Sequence, residues 1–235
     1  MKANFERQLD ILPPEKLLYP ITLIGLGGIG SYTAYVVRKM GFREFHIWDP
    51  DMVEMHNVPS QHFSVGDEGH SKVGAVKMQM ALSLPADSLL VTTNQLLFTD
   101  TSSQLEGLVI SGVDTMEARH SIWAGVRKAR TLVPLYIDAR IGVEWDDAES
   151  KVKGEWLEVF AVKPSSIEDC ELYEEHLCSD EEAEPLRCTA QAVAYIGSLI
   201  AGFVGSTVRK WVTGEPYHRH FLYDALTSQI LIANL

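Results

Sequence analysis

Six residues near the start of the chain, Gly25-Leu26-Gly27-Gly28-Ile29-Gly30, constrain its fold more than any other stretch. They fit G-x-G-x-x-G. On one side lies the short apolar run Ile21-Thr22-Leu23-Ile24, and on the other Ser31 to Met40, which has helical apolar spacing and stops at Gly41. Glycines here allow a tight turn from strand into helix, and the free N–H groups opening the helix can hold phosphate. Glu44 to Trp48 reads as a second strand, closed by the turn-prone Asp49-Pro50-Asp51. Strand, helix and strand in this order predict a right-handed βαβ unit. Asp49 falls at the end of the second strand, where an acid reaches a ribose hydroxyl in such architectures.

The alternation continues. Lys72 to Leu84 reads as a helix, Leu89 to Leu97 and Leu108 to Val113 as strands, Thr115 to Arg130 as a helix and Pro134 to Asp138 as a strand. This predicts an α/β, Rossmann-like fold, a mostly parallel sheet with helices on both faces. Beyond Asp138, Gly142 to Val162 alternates around Gly154 in the manner of an antiparallel hairpin. Lys163 to Arg187 is acidic with little periodicity, a connection long enough to be functional or mobile. Thr189 to Trp211 then reads as an apolar helix and His220 to Asn234 as two short strands, so antiparallel strands are expected toward the C-terminus. Residues 1–235 are expected to form one domain, with a βα core over 21–140 and the remaining elements over 141–235.

Twenty Lys+Arg against thirty-two Asp+Glu leave a net charge of −12, which argues against a duplex-binding face, so no nucleic-acid partner is expected. The most apolar stretch, Ala190 to Val204, contains Gln191 and Ser198 and falls short of the ~20 residues a membrane span needs. A core helix and no membrane association are expected. Three cysteines, and a first stretch Met-Lys-Ala-Asn-Phe-Glu-Arg without an apolar signal region, point to the reducing cytoplasm.

A dehydrogenase would account for the glycines and Asp49. The residues that follow go further: Asp49-x-Asp51-x-Val53-x-x-x-Asn57-x-x-Ser60-Gln61, then Lys72, with Arg7-Gln8 upstream. Further on come Val109-Ile110-Ser111-Gly112-Val113-Asp114, Cys188, Gly197-Ser198-Leu199 and Tyr223-Asp224-Ala225. In this order and spacing, over nearly its whole length, the chain resembles the ThiF/MoeB/HesA family of ubiquitin-activating-type adenylating enzymes. The resemblance implies ATP at the carboxyl ends of the parallel strands, its phosphates at Gly25, Gly27, Gly28 and Gly30 and its ribose at Asp49, with Asp51 in the same binding set. A protein's C-terminal carboxylate would attack the α-phosphate, giving an acyl-adenylate and pyrophosphate. Lys72 matches the family lysine on the phosphates, Asp114 the aspartate that helps hold Mg2+, and Asn57 the residue that orients the α-phosphate. Arg7 matches an arginine that reaches into a partner subunit's site, which implies a homodimer. The implied substrate is a small ubiquitin-like or sulfur-carrier protein, or a peptide, with a free C-terminus.

Taken singly, Lys72 also reads as a solvated charge, Asp114 as a turn or cap residue, Asp49 as a turn carboxylate and Arg7 as a terminal charge. The chain departs from the family at three points. Ser60 stands where the family has a phosphate-contacting arginine, a loss of about 2–4 kcal/mol at the transition state. Arg140, just past the strand ending at Asp138, is the candidate to replace that charge. Family zinc sites use two C-x-x-C pairs. Here only Cys170, Cys178 and Cys188 occur, and a set of these with His176 lacks the paired spacing, so structural zinc is not expected. Cys188 is the candidate for a thioester or persulfide bond with the substrate's tail, activated by a helix N-terminus; a buried apolar thiol is its alternative reading. Ser165 to Glu184 occupies the position of the family's crossover loop, and a solvated linker is its alternative. Met78 and Met80 read as core, and His218 and His220 are too isolated for a metal site. Two other functions stay open: a family member that binds nucleotide or partner without turnover, favoured by Ser60, and an NAD(P)-dependent oxidoreductase.

Overall fold

The computed structural model describes residues 5–85, 89–100, 105–178 and 193–232. Its organising element is one eight-stranded sheet in the order β3-β2-β1-β4-β5-β6-β7-β8. The strands β1 (Ile21–Ile24), β2 (Glu44–Trp48), β3 (Leu90–Asn94), β4 (Leu108–Ser111) and the start of β5 (Leu135–Asp146) run parallel. From β5 onward the pairing is antiparallel, through β6 (Lys151–Val162), β7 (His220–Asp224) and β8 (Gln229–Ile232). Every residue of β1 and β4 is buried, as expected for strands covered on both faces.

Side chains alternate between two layers. Leu23, Ile47, Ile110 and Ile137 face the layer holding Ala34, Val37, Val76, Met80 and Ile200, which come from α1 (Gly30–Met40), α2 (Lys72–Ser83) and α5 (Ala194–Thr213). Val109, Tyr136 and Phe160 face Ile122, Trp123, Cys170 and Tyr173, from α3 (Met116–Lys128) and α4 (Ile167–Glu174). The chain goes from β1 to β2 on one side and returns to β4 on the other. The carboxyl ends of β1 and β4 therefore flank the switch point where ligands lodge in open α/β sheets.

The expected α/β fold with antiparallel strands toward the C-terminus is the fold observed. Three details differ. Inside the acidic segment lies α4, capped by Ser166, whose Oγ accepts from the Asp169 N–H at 3.2 Å, and burying Cys170 and Tyr173. The long hairpin does not turn at Gly154, which sits within β6 opposite Glu144; the turn spans 147–150. A Cβ at Gly154 would lie 3.2 Å from the Trp156 ring, so the glycine makes room for an indole. Of the methionines assigned to the core, Met80 is buried while Met78 is 60% exposed. The expected start of the apolar helix at Thr189 lies outside the described residues, among which no helix is long and apolar enough to cross a membrane.

Candidate functional site

Three stretches of backbone meet without side chains at the carboxyl ends of β1 and β4. Gly25 has φ +84°, and its N–H donates to the Trp48 carbonyl at 2.9 Å. A Cβ at Gly30 would stand 1.8 Å from the Gly25 carbonyl oxygen, so the first turn of α1 folds back onto the end of β1 only as glycine. Gly112, just past β4, completes the contact: its Cβ would lie 2.9 Å from that of Ile29 and 3.2 Å from the Gly30 nitrogen. From the other side α5 leans on the loop, since a Cβ at Gly197 would come within 2.4 Å of the Gly28 carbonyl oxygen.

Asp49 braces this loop. Its Oδ2 accepts the Leu26 N–H at 2.7 Å and its Oδ1 the Asp51 N–H at 2.9 Å. Burial raises its pKa above the ordinary aspartate value; the Lys72 charge and the two N–H bonds offset part of that rise. Lys72 opens α2 behind the capping Ser71, whose Oγ accepts from Gly74 N–H at 3.2 Å. The lysine is only 7% exposed, and its Nζ lies 2.8 Å from Asp51 Oδ2. Asn57 is buried in a 3-10 turn over Met55–Asn57, where its Oδ1 accepts the Glu54 N–H at 2.9 Å. The chain then returns to the glycine loop. His62 N–H donates to Ser31 Oγ at 2.9 Å, and that hydroxyl donates to the Gly27 carbonyl at 2.6 Å. Asp114 is exposed on the turn between β4 and α3, two residues beyond Gly112.

The structure thus gathers the glycines, Asp49, Asp51, Asn57, Lys72 and the Asp114 turn around one end of the sheet. It keeps Arg7 away. Gln8 Nε2 donates to the Met40 carbonyl at 2.8 Å, and the Phe5 ring packs against Gly41, so the N-terminal segment lies at the far end of α1. Eleven helical residues separate the two ends by about 16 Å. Cys188 lies outside the described residues. Ser60 supplies no cation; its Oγ turns back toward the Asn57 carbonyl at 3.5 Å.

Arg140, the candidate to replace that charge, is held by other groups in this structure. Its Nε donates to Asp138 Oδ2 at 2.7 Å, its Nη1 lies 3.1 Å from the His176 carbonyl and 3.6 Å from Glu158 Oε2, and its guanidinium covers the Phe160 ring. The reason is Asp138, where the sequence predicts only a strand end. It is fully buried and also accepts from Ser111 Oγ at 2.8 Å, Tyr173 Oη at 3.0 Å and Arg119 Nε at 3.4 Å. Burial alone would raise its pKa, but Arg119, Arg140 and these hydrogen bonds outweigh burial and hold it below the ordinary value. The signal in the sequence is Asp138-x-Arg140, two charges on one face of the otherwise uncharged stretch 135–143.

Of the residues weighed for zinc, Cys170 is buried with its thiol pKa pushed up by burial, and its Sγ lies 2.8 Å from Arg127 Nη1. His176 Nδ1 lies 2.8 Å from the Leu172 carbonyl. Among the described residues no group of three or more His, Cys, Asp or Glu side chains is arranged to hold a metal ion. His220 stacks on Phe160 with ring centroids 4.1 Å apart, and its Nε2 lies 2.8 Å from Glu158 Oε1.

The family model described as the ThiF family matches residues 19–235. Ubiquitin-like modifier-activating enzyme 5 of Drosophila melanogaster is 32% identical over 124 residues, 46% of this chain and 30% of that protein. Its namesake from Bombyx mori is 33% identical over 115 residues, 43% and 29% of the two chains. The chain spans less than a third of the length of these curated relatives. Among solved structures, E. coli MccB with ATP superposes at a TM-score of 0.67 and 17% identity, covering 95% of this chain and 66% of that one. PaaA does so at 0.68 and 17%, covering 94% and 65%. Both share the fold.

Proposed function

The chain belongs to the ThiF family, and from that premise we propose that it uses ATP to adenylate the C-terminal carboxylate of a small ubiquitin-like or sulfur-carrier protein, or of a peptide. The observation that carries this reading is a buried cation, Lys72, held by Asp51 beside a glycine loop that opens a helix.

The loop N–H groups and the positive end of α1 would receive the phosphates. Lys72, the first residue of α2, would exchange Asp51 for a phosphate oxygen, and Asn57 would orient the α-phosphate. Asp49 would face the ribose while its engaged oxygens keep the loop rigid. An exposed carboxylate on a turn that touches the loop suits a hard cation, so Asp114 would hold Mg2+, which when bound neutralises phosphate charge. The substrate carboxylate oxygen bonds to the α-phosphorus as the bond to the pyrophosphate oxygen breaks, and pyrophosphate leaves. The chain's task is to bring two anions together and offset their charge. In a later step the Cys188 thiolate would attack the acyl carbonyl of the adenylate, forming a thioester as the acyl–phosphate bond breaks and AMP leaves. Arg7, in a segment anchored at the end of α1 opposite its own loop, would act across a homodimer. We propose that 1–235 works as one domain around this site.

A second reading rests on Ser60 and on the engagement of Arg140 by Asp138: a family member that binds nucleotide or a partner without turnover. Exchange of radiolabelled pyrophosphate into ATP, in the presence of candidate carriers and peptides ending in Gly-Gly, separates the two. Carrier-dependent exchange supports adenylation. Tight ATP binding with no exchange for any carrier supports the second reading.

A further inference from the structure

We infer that Asp138 is a positioning residue, a buried carboxylate that clamps the 112–115 turn from both ends and thereby fixes Asp114 relative to the glycine loop. The inference rests on the reading of Asp114 given above. Asp138 lies beside Ser111 in the sheet register, and its Oδ1 accepts from two groups that bracket the turn. One is Ser111 Oγ at 2.8 Å, from the last residue of β4; the other is Arg119 Nε at 3.4 Å, from α3. Arg119 reaches further: its Nη2 donates to the Val113 carbonyl at 2.5 Å, the peptide group joined directly to Asp114. On the opposite oxygen, Arg140 and Tyr173 hold the carboxylate without touching the turn.

The turn is therefore wedged. Gly112 presses on Ile29 and Gly30 on one side, and Asp138 holds both shoulders from the other. A charge buried only to fill space would be poorly chosen, because desolvation offsets its attractions and an apolar side chain packs as well. Its use here is directional. Donors on two elements converge on one oxygen, so β4, the turn and α3 keep one arrangement. Misplacement of a catalytic group by about 1 Å lowers rate on the order of a hundredfold, which gives such a clamp its value.

Three variants test it: Ser111→Ala and Arg119→Lys, which act on the turn, and Tyr173→Phe, which removes a hydrogen bond to the same carboxylate away from the turn. The readouts are amide hydrogen exchange over 112–116 in nucleotide-free protein, the Mg2+ concentration giving half-maximal ATP binding, and melting temperature. Ser111→Ala and Arg119→Lys are expected to speed exchange and to raise the Mg2+ requirement by roughly tenfold each, through local opening of the turn. Tyr173→Phe, melting no higher than they do, is expected to change neither. Unchanged exchange in the first two, or equal effects from Tyr173→Phe, would overturn the inference. If exchange responds as expected in a protein that binds no ATP, the clamp stands and the adenylation reading fails instead.

Discussion

Lys72 and Ser60 carry the sharpest expectations at the scale of single residues. Lys72 is nearly buried and 2.8 Å from Asp51, so Lys72→Ala should leave the fold intact while lowering pyrophosphate exchange by about a hundredfold or more, the loss expected for one charge on a reacting phosphate. Ser60→Arg restores a cation where the chain has a hydroxyl, and exchange rates should rise rather than fall. Asp138 makes a pH prediction. Its folded pKa lies below the ordinary value of 3.8, so it contributes stability that is complete above that value and is lost as pH falls through the folded pKa. Denaturant unfolding from pH 6 to pH 3 should show a steeper loss for the natural chain than for Asp138→Asn, which should start less stable. Why the glycines, Asp49 and Lys72 were legible in the sequence while Asp138 was not has a physical basis. The first group recurs at fixed spacing along one βαβ unit. The partners of Asp138 come from Ser111, Arg119, Arg140 and Tyr173, on four elements that only the folded sheet brings together.

Between elements, the loop holds glycines that the packing requires and one with open space beside it. A Cβ at Gly30 would collide with the Gly25 carbonyl, so Gly30→Ala should destabilise the chain by about 1–3 kcal/mol in denaturant titration. A Cβ at Gly27 would meet only Gln61 Nε2, at 3.9 Å, so Gly27→Ala should unfold like the natural chain but bind ATP more weakly in calorimetry. The β1-α1-β2 unit was readable because apolar runs, glycines and turn residues all gave one answer. Two elements were not. The sequence of α4 shows many acids because most of the helix faces solvent, and its buried edge is a few residues long. The hairpin turn carries no glycine: Asp146 Oδ1 accepts from the Ala148 and Glu149 N–H groups at 2.8 and 3.0 Å, and Ser150 adopts φ +50°.

The whole molecule adds one constraint that no element shows alone. The N-terminal segment is anchored at the end of α1 opposite the glycine loop, so the proposed role of Arg7 requires a second subunit. Mixing Arg7→Ala with Lys72→Ala chains should then restore exchange that neither variant has alone, in about a quarter of the sites if subunits pair randomly in a two-fold dimer. No recovery on mixing would leave Arg7 without that part. The central claim is that the end of the sheet where β1 meets β4 receives a nucleoside triphosphate, and a crystal soaked with ATP and magnesium tests it most directly. The triphosphate should lie against the N–H groups of 27–30 with Lys72 Nζ drawn from Asp51 onto a phosphate oxygen. Nucleotide bound elsewhere, with Lys72 still on Asp51 at saturating ATP, would contradict the account.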